Sequence, residues 1–360
     1  MTATMEQLVD LWFADATPDA LAELAQHGAA ALAEGDLERA AMAKSAEARH
    51  ARLLEKQQHA VVVGAELLDM WPALRGRPVP EKKDPHDLRS RLVWGMKYVA
   101  GSAMDLPEIP LATTDQLLAA VGDMLAHYGF QQPALWQLQA RRAFIAGDGD
   151  VMRDLVAKIG PTATRYHHRQ HCGDCPGCVL TQFASWLGPN ADAADVEDVL
   201  APIVGTRPFP PEPGALGAVY DLLYGSGACD HAQKSTPIYL SRAYTRAGRL
   251  GEALREAERA MQVTQGEDAN LPTRALVART AVALAMGEHA KARAYATDIV
   301  ERTRHLEDVY ERLDAILVAH AALGDAALAA DALAMAERLD ARIEKKRHVA
   351  ATRAALGVER

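Results

Sequence analysis

Apolar residues recur three or four positions apart along almost the whole chain, the spacing that stacks side chains on one face of an α-helix. No convincing run alternates branched apolar with polar residues, so no strand is predicted. The first apolar stripe predicts a helix from about Met5 to Asp15. Thr17 then reads as an N-cap with Pro18 at the first helical position, where its missing N–H costs nothing. The helix it opens reaches Ala33, turns through Glu34-Gly35-Asp36-Leu37 and gives way to another near Glu38. Further helices are predicted over Leu88–Met104 and from about Asp115 to Tyr128. Leu117, Val121, Met124, Leu125 and Tyr128 form the apolar stripe of the last.

The glycine turn recurs, with small residues at fixed distances behind it. Leu240 and Tyr244 precede Gly248, Leu250, Ala253, Ala257 and Ala260. Gly287 is followed by Ala292, Ala296 and Ile299, and Gly324 by Ala329, Leu333 and Ala336. Gly35, Leu37 and Ala40 match the front half, as do Trp136, Ala140, Ala143 and Gly147. The unit is helix–turn–helix: glycine permits the tight turn, and alanines let the second helix press against its neighbours. These residues resemble the tetratricopeptide repeat, although Gly248, Gly287 and Gly324 stand 39 and 37 residues apart, against about 34 in that family. The resemblance implies an all-α, right-handed solenoid of helical hairpins.

Two proline-rich stretches break the pattern. Gly76-Arg-Pro-Val-Pro80 with Glu81-Lys-Lys-Asp-Pro85 is polar and cannot be crossed by a helix, and Gly205–Gly214 is stiff and extended. They divide the chain into N-terminal hairpins (1–75), a linker (76–87), central repeats carrying a cysteine cluster (88–204), a second linker or insertion (205–214) and C-terminal repeats (215–360).

Composition narrows the partners. The 360 residues are 49% hydrophobic and 24% charged, with a net charge of −9 and a pI of about 5.8. Such a balance argues against the broad basic face that contacts to a phosphate backbone require, so nucleic acid is not expected. Met1–Ala14 has no cationic segment ahead of an apolar core, and the longest apolar stretch, Ala60–Trp71, is interrupted by Glu66 and Asp69. Neither a signal peptide nor a membrane span is predicted, and the expected compartment is the cytoplasm.

There, clustered thiols read as metal ligands before they read as disulfides. His171–Cys178 is H-C-G-D-C-P-G-C, and the fourth cysteine, Cys229, stands in A-C-D-H ending at His231. Pro176-Gly177 supplies turn chemistry for two thiolates of a C-x-x-C to reach one tetrahedral ion. Both halves precede predicted helix starts, near Val179 and at Thr236-Pro237, whose N–H groups favour thiolate. A structural zinc held by Cys172, Cys175, Cys178 and Cys229 is the expectation, with His171 and His231 as rivals for the fourth position. A redox-active C-x-x-C, unbound thiols, and a catalytic zinc served by His167, His168 and His171 are the alternatives.

The phrase Leu106-Pro-Glu-Ile-Pro110, the helix after it, the element Asp174–Cys178 and the later single cysteine together resemble a tetratricopeptide-like group frequent in actinobacteria. The resemblance spans roughly Leu88–Met261. It implies a fold and a metal site, and no activity. The chain departs from it in an insertion around Pro208–Tyr224, in Cys172 and in the neighbouring histidines.

No phosphate-binding glycine loop, H-E-x-x-H or nucleophile elbow is present in the sequence. Arg242 and Arg246 are four apart and share a helix face. In tetratricopeptide proteins that helix usually lines the concave groove, so the pair is a candidate to receive an acidic peptide; a solvated face is the plainer alternative. The basic stretch Arg342–His348 reads as a solvated terminal helix. The function expected is therefore a protein-interaction scaffold or adaptor, and not an enzyme. Two other classes stand beside it: an immunity-type or regulatory protein neutralising one partner, and a zinc-dependent enzyme using the His/Cys cluster.

Overall fold

The computed structural model describes residues 3–54, 56–77, 88–130, 133–163, 180–181, 183–185, 192–201, 203–204, 207–208, 227–228, 230–267, 270–306, 308–343 and 347–358. Described residues through Leu155 form one compact unit and those from Val156 onward a second.

The first unit contains α1 (Met5–Phe13), α2 (Pro18–Ala33), α3 (Leu37–Leu53), α4 (Gln57–Arg75), α5 (Leu88–Asp105), α6 (Leu111–Tyr128) and α7 (Pro133–Ala146); α8 (Gly149–Ala163) contains the boundary. Polar side chains set the helix starts. Thr4 and Gln7 close a capping box on α1, Thr17 Oγ1 accepts from the Ala20 N–H at 3.1 Å, and Asp36 caps α3 behind Gly35, whose φ is 75°. Helix α6 starts at Leu111, four residues before its predicted start, because the extended backbone at Pro110 already ends the preceding turn.

Helix α3 is the axis of this unit and is buried along most of its length. It packs on α1, α2, α4 and α5. Absent side chains make these contacts close: a Cβ on Gly95 would lie 2.8 Å from the Cα of Ser45, and one on Gly64 only 2.2 Å from Val99. Trp71 ties α4 to α6, donating from Nε1 to Asp123 at 2.8 Å and standing edge-on to the Tyr128 ring.

In the second unit come α9 (Ala193–Leu200), α10 (Asp230–Arg246), α11 (Leu250–Val263), α12 (Asn270–Ala285), α13 (His289–Arg302), α14 (Val309–Leu323), α15 (Ala326–Ile343) and α16 (Arg347–Leu356). A two-residue parallel pairing of Arg207–Pro208 with Gly227–Ala228 is an extended element that the sequence did not signal. Helices α10, α12, α14 and α16 form one row through next-but-one contacts, and α11, α13 and α15 alternate with them. The architecture is an all-α solenoid of tetratricopeptide-like helical hairpins.

Two sequence readings are corrected here. Thr236-Pro237 does not open a helix: α10 begins at Asp230 and carries Pro237 inside it. Just before the proline, Ser235 and Thr236 donate their hydroxyls to the carbonyls of His231 and Ala232, at 2.7 and 2.8 Å. These hydroxyls turn back on carbonyls one turn earlier, in the turn ahead of the proline.

The other correction concerns phase. Ala253, Ala257 and Ala260 are buried behind Gly248, and Ala292, Ala296 and Ile299 behind Gly287, as the repeat predicts. Behind Gly324 the buried residues are Leu328, Ala332, Ala336 and Leu339, and Ala329 and Leu333 are only half-buried. The turn explains the slip. At Gly248 the Arg249 N–H reaches the Tyr244 carbonyl and the Gly248 N–H that of Thr245, the two-bond Schellman closure, repeated at Gly287. Gly324 makes the single bond to the His320 carbonyl instead, and Asp325 caps the helix that follows. The first two buried positions of α15 thereby slip by one residue, to Leu328 and Ala332, and the pattern rejoins the repeat at Ala336.

All but the first two residues of the expected linker at 76–87, and most of that at 205–214, lie outside the described residues. No described helix is long and apolar enough to cross a membrane.

Candidate partner-binding face

Cys172, Cys175, Cys178, Cys229 and His171 all lie outside the described residues. Of the proposed ligands only His231 is described, exposed in the first turn of α10, which starts one residue after Cys229. Among the described residues no group of three or more His, Cys, Asp or Glu is placed to hold a metal ion.

The candidate arginines are described in full. Both sit on α10, and the register of the row decides their surroundings. Arg242 pairs with Asp314 on α14, and Arg274 on α12 pairs with Glu311 on α14. The first pair skips a helix. Packed helices lie about 8–10 Å apart, so second neighbours in a flat row would be about 16–20 Å apart. An arginine and an aspartate together do not span that gap unless the row bends inward on the side where they meet. Within this unit, α10, α12 and α14 therefore curve toward the face that carries both pairs.

Burial lowers the pKa of Arg242, while the charge of Glu311 opposes the fall. Tyr239, buried one turn earlier, has its phenol pushed up to about 12, first by burial and then by Glu311. Arg246 differs from its neighbour. It is exposed and has no ion pair among the described residues. Protein mass around the guanidinium, followed by the charge of Arg242, lowers its pKa to about 10, so it stays protonated at neutral pH.

A second polar cluster holds the far side of α10. Glu197 on α9 accepts from the Tyr244 hydroxyl at 2.7 Å and lies 3.2 Å from Arg249, whose guanidinium stacks 4.4 Å above the Tyr244 ring. The hydrogen bond from Tyr244 is the main reason the Glu197 carboxyl sits below its ordinary pKa. This cluster fixes α9 and the turn at Gly248, and with them the direction in which α10 presents Arg246.

The comparisons bear on the fold. No protein-family model matches the sequence, and no curated protein matches it. The crystal structure of a Rap protein complexed with competence and sporulation factor matches 98% of this chain and 96% of its own, with a TM-score of 0.52 and 13% identity. That likeness shows the fold. At this identity it assigns no residue and no activity.

Sequence reading found Arg242 and Arg246 and missed Asp314, Glu311, Arg274 and Tyr239. One signal was present. Arg274 and Glu311 are 37 residues apart, the same interval as Gly287 and Gly324, which places opposite charges at equivalent positions of successive repeats. Both carboxylates are held by guanidiniums and the phenol stays neutral, so this face offers charge and shape for recognition.

Proposed function

We propose that the protein is an interaction scaffold or adaptor that binds another protein or peptide on the inner face of α10, α12 and α14. The observation that carries this is the bend of the row toward the face of Arg242, on which Arg246 is exposed and has no ion pair among the described residues. The likeness to a Rap protein solved in complex with competence and sporulation factor supports the reading, because a chain of this fold there holds a partner.

The segment received is acidic or mixed. Arg242 already has a carboxylate, whereas Arg246 has none among the described residues, and arginine suits carboxylates through paired hydrogen bonds. Pull-down from the native host with the wild-type protein and with Arg246→Glu, followed by calorimetric titration of the partner recovered, tests this. Charge reversal is expected to weaken binding by about 1–3 kcal/mol. Unchanged affinity would move the interface elsewhere.

A further inference from the structure

We infer that the inner face recognises a specific two-part signature: a carboxylate followed within one or two residues by a branched aliphatic side chain. This rests on the reading of the face as the partner-binding surface and adds what the partner must carry.

The register comes from the ion pairs. Inner helices joined through intervening antiparallel helices run parallel to one another, so moving one turn along each preserves their relative level. Arg242 meets Asp314; one turn on, Arg246 comes level with Val318. Ala281 on α12 occupies the position equivalent to Val318, since the two stand 37 residues apart like the turn glycines behind them. Val318, Leu317 and Ala281 are half-buried, and Ala285 and Ala321 are exposed. Beside the uncommitted guanidinium there is thus a shelf of small and aliphatic side chains rather than further charge.

The chemistry fixes the occupant. Below this level Arg242 and Arg274 each hold a carboxylate. At this level Arg246 has no ion pair among the described residues, and the small residues leave room for a bulky apolar group. A carboxylate alone would leave the shelf wet, and an aliphatic group alone would leave Arg246 with water. An acidic residue adjacent to Leu, Ile or Val in an extended segment satisfies both, because successive side chains of an extended chain reach points a few ångströms apart.

The test is selection from a random linear-peptide display library against the full chain, with Arg246→Ala and Ala281→Asp as parallel targets. Enrichment of acidic–aliphatic pairs is expected on the wild type. For one enriched synthetic peptide, fluorescence polarisation should show about tenfold weaker binding when its acid is changed to the amide, and a similar loss when its aliphatic residue becomes serine. On Arg246→Ala the acid and amide peptides should bind alike, and on Ala281→Asp the aliphatic preference should vanish while circular dichroism stays unchanged. Enriched peptides lacking the pair, or an Arg246→Ala protein that still prefers acid to amide, would overturn the inference. If those other peptides are blocked by Ala321→Arg, the face still binds partners and only the signature is wrong. Failure to enrich any peptide sinks both.

Discussion

Arg242 on α10 holds Asp314 on α14, passing over α12, which lies between the two helices in sequence and in the row. A contact between second neighbours makes the inward bend of the row depend on a side-chain pair as well as on helix packing.

Loss of that pair should be felt in stability. The side chain of Arg242 is 20% exposed and that of Asp314 44% exposed, so Asp314 can take water when Arg242 is removed. Arg242→Ala is expected to cost about 1–2 kcal/mol, between the values for surface and buried pairs. Urea denaturation measures it, and the swapped variant Arg242→Asp with Asp314→Arg should recover part of the loss. A swap as unstable as the single variant would mean that the pair does not staple the row.

Acid should weaken both units through buried histidines. His50 donates from Nε2 to the Leu11 carbonyl at 2.9 Å, and His348 shares a bond with Asp340 at 2.9 Å. Burial lowers the pKa of each below 6.5; Arg49 adds to the effect at His50, and Asp340 opposes it at His348. The unfolded chain then takes up protons first as pH falls through 6.5. The stability these groups contribute is complete above that pH and declines below it. Denaturation midpoints should fall between about pH 7 and pH 5.5, and His50→Gln with His348→Gln should flatten the slope. An unchanged slope in the double variant refutes the assignment.

Two glycines three residues apart should respond in opposite directions. Gly248 holds φ at 71°, where a side chain is strained, whereas Gly251 lies within α11 with open space around its Cα. Gly248→Ala is expected to cost about 1 kcal/mol and Gly251→Ala to gain about 0.5–1 kcal/mol. Paired melting curves decide the matter; equal shifts of one sign would contradict it.

From the sequence we propose that Cys172, Cys175, Cys178 and Cys229 hold one structural zinc, with His171 or His231 able to replace Cys172. Protein purified without added metal should carry about one zinc per chain by elemental analysis. Cys175→Ser with Cys178→Ser should lose it and speed hydrogen exchange in the first turns of α10 before exchange in α13. A folded, metal-free preparation with freely titratable thiols would refute this.

Helix existence was legible in the sequence because the apolar period is strong, and so were the caps at Thr17 and Asp36, which rest on local hydrogen bonds. The start of α10 was not, since Thr236-Pro237 gives the same local signal at a helix start as inside a helix whose hydroxyls turn back on the preceding carbonyls. Half of the candidate face was legible. Arg242 and Arg246 were found from spacing on one helix, but what each guanidinium meets depends on α12 and α14. Only the three-dimensional row shows that Asp314 takes one of them and leaves the other.

The closure at Gly324 makes the joints of the array unequal. Hairpins that end in the two-bond turn present their outer helices in one phase, so a duplicated segment inserted after Gly248 or Gly287 would meet neighbours already shaped to receive it. Behind Gly324 the first two buried positions are displaced, so a copy inserted there would meet the first turns of α15 out of step and would have to repack them.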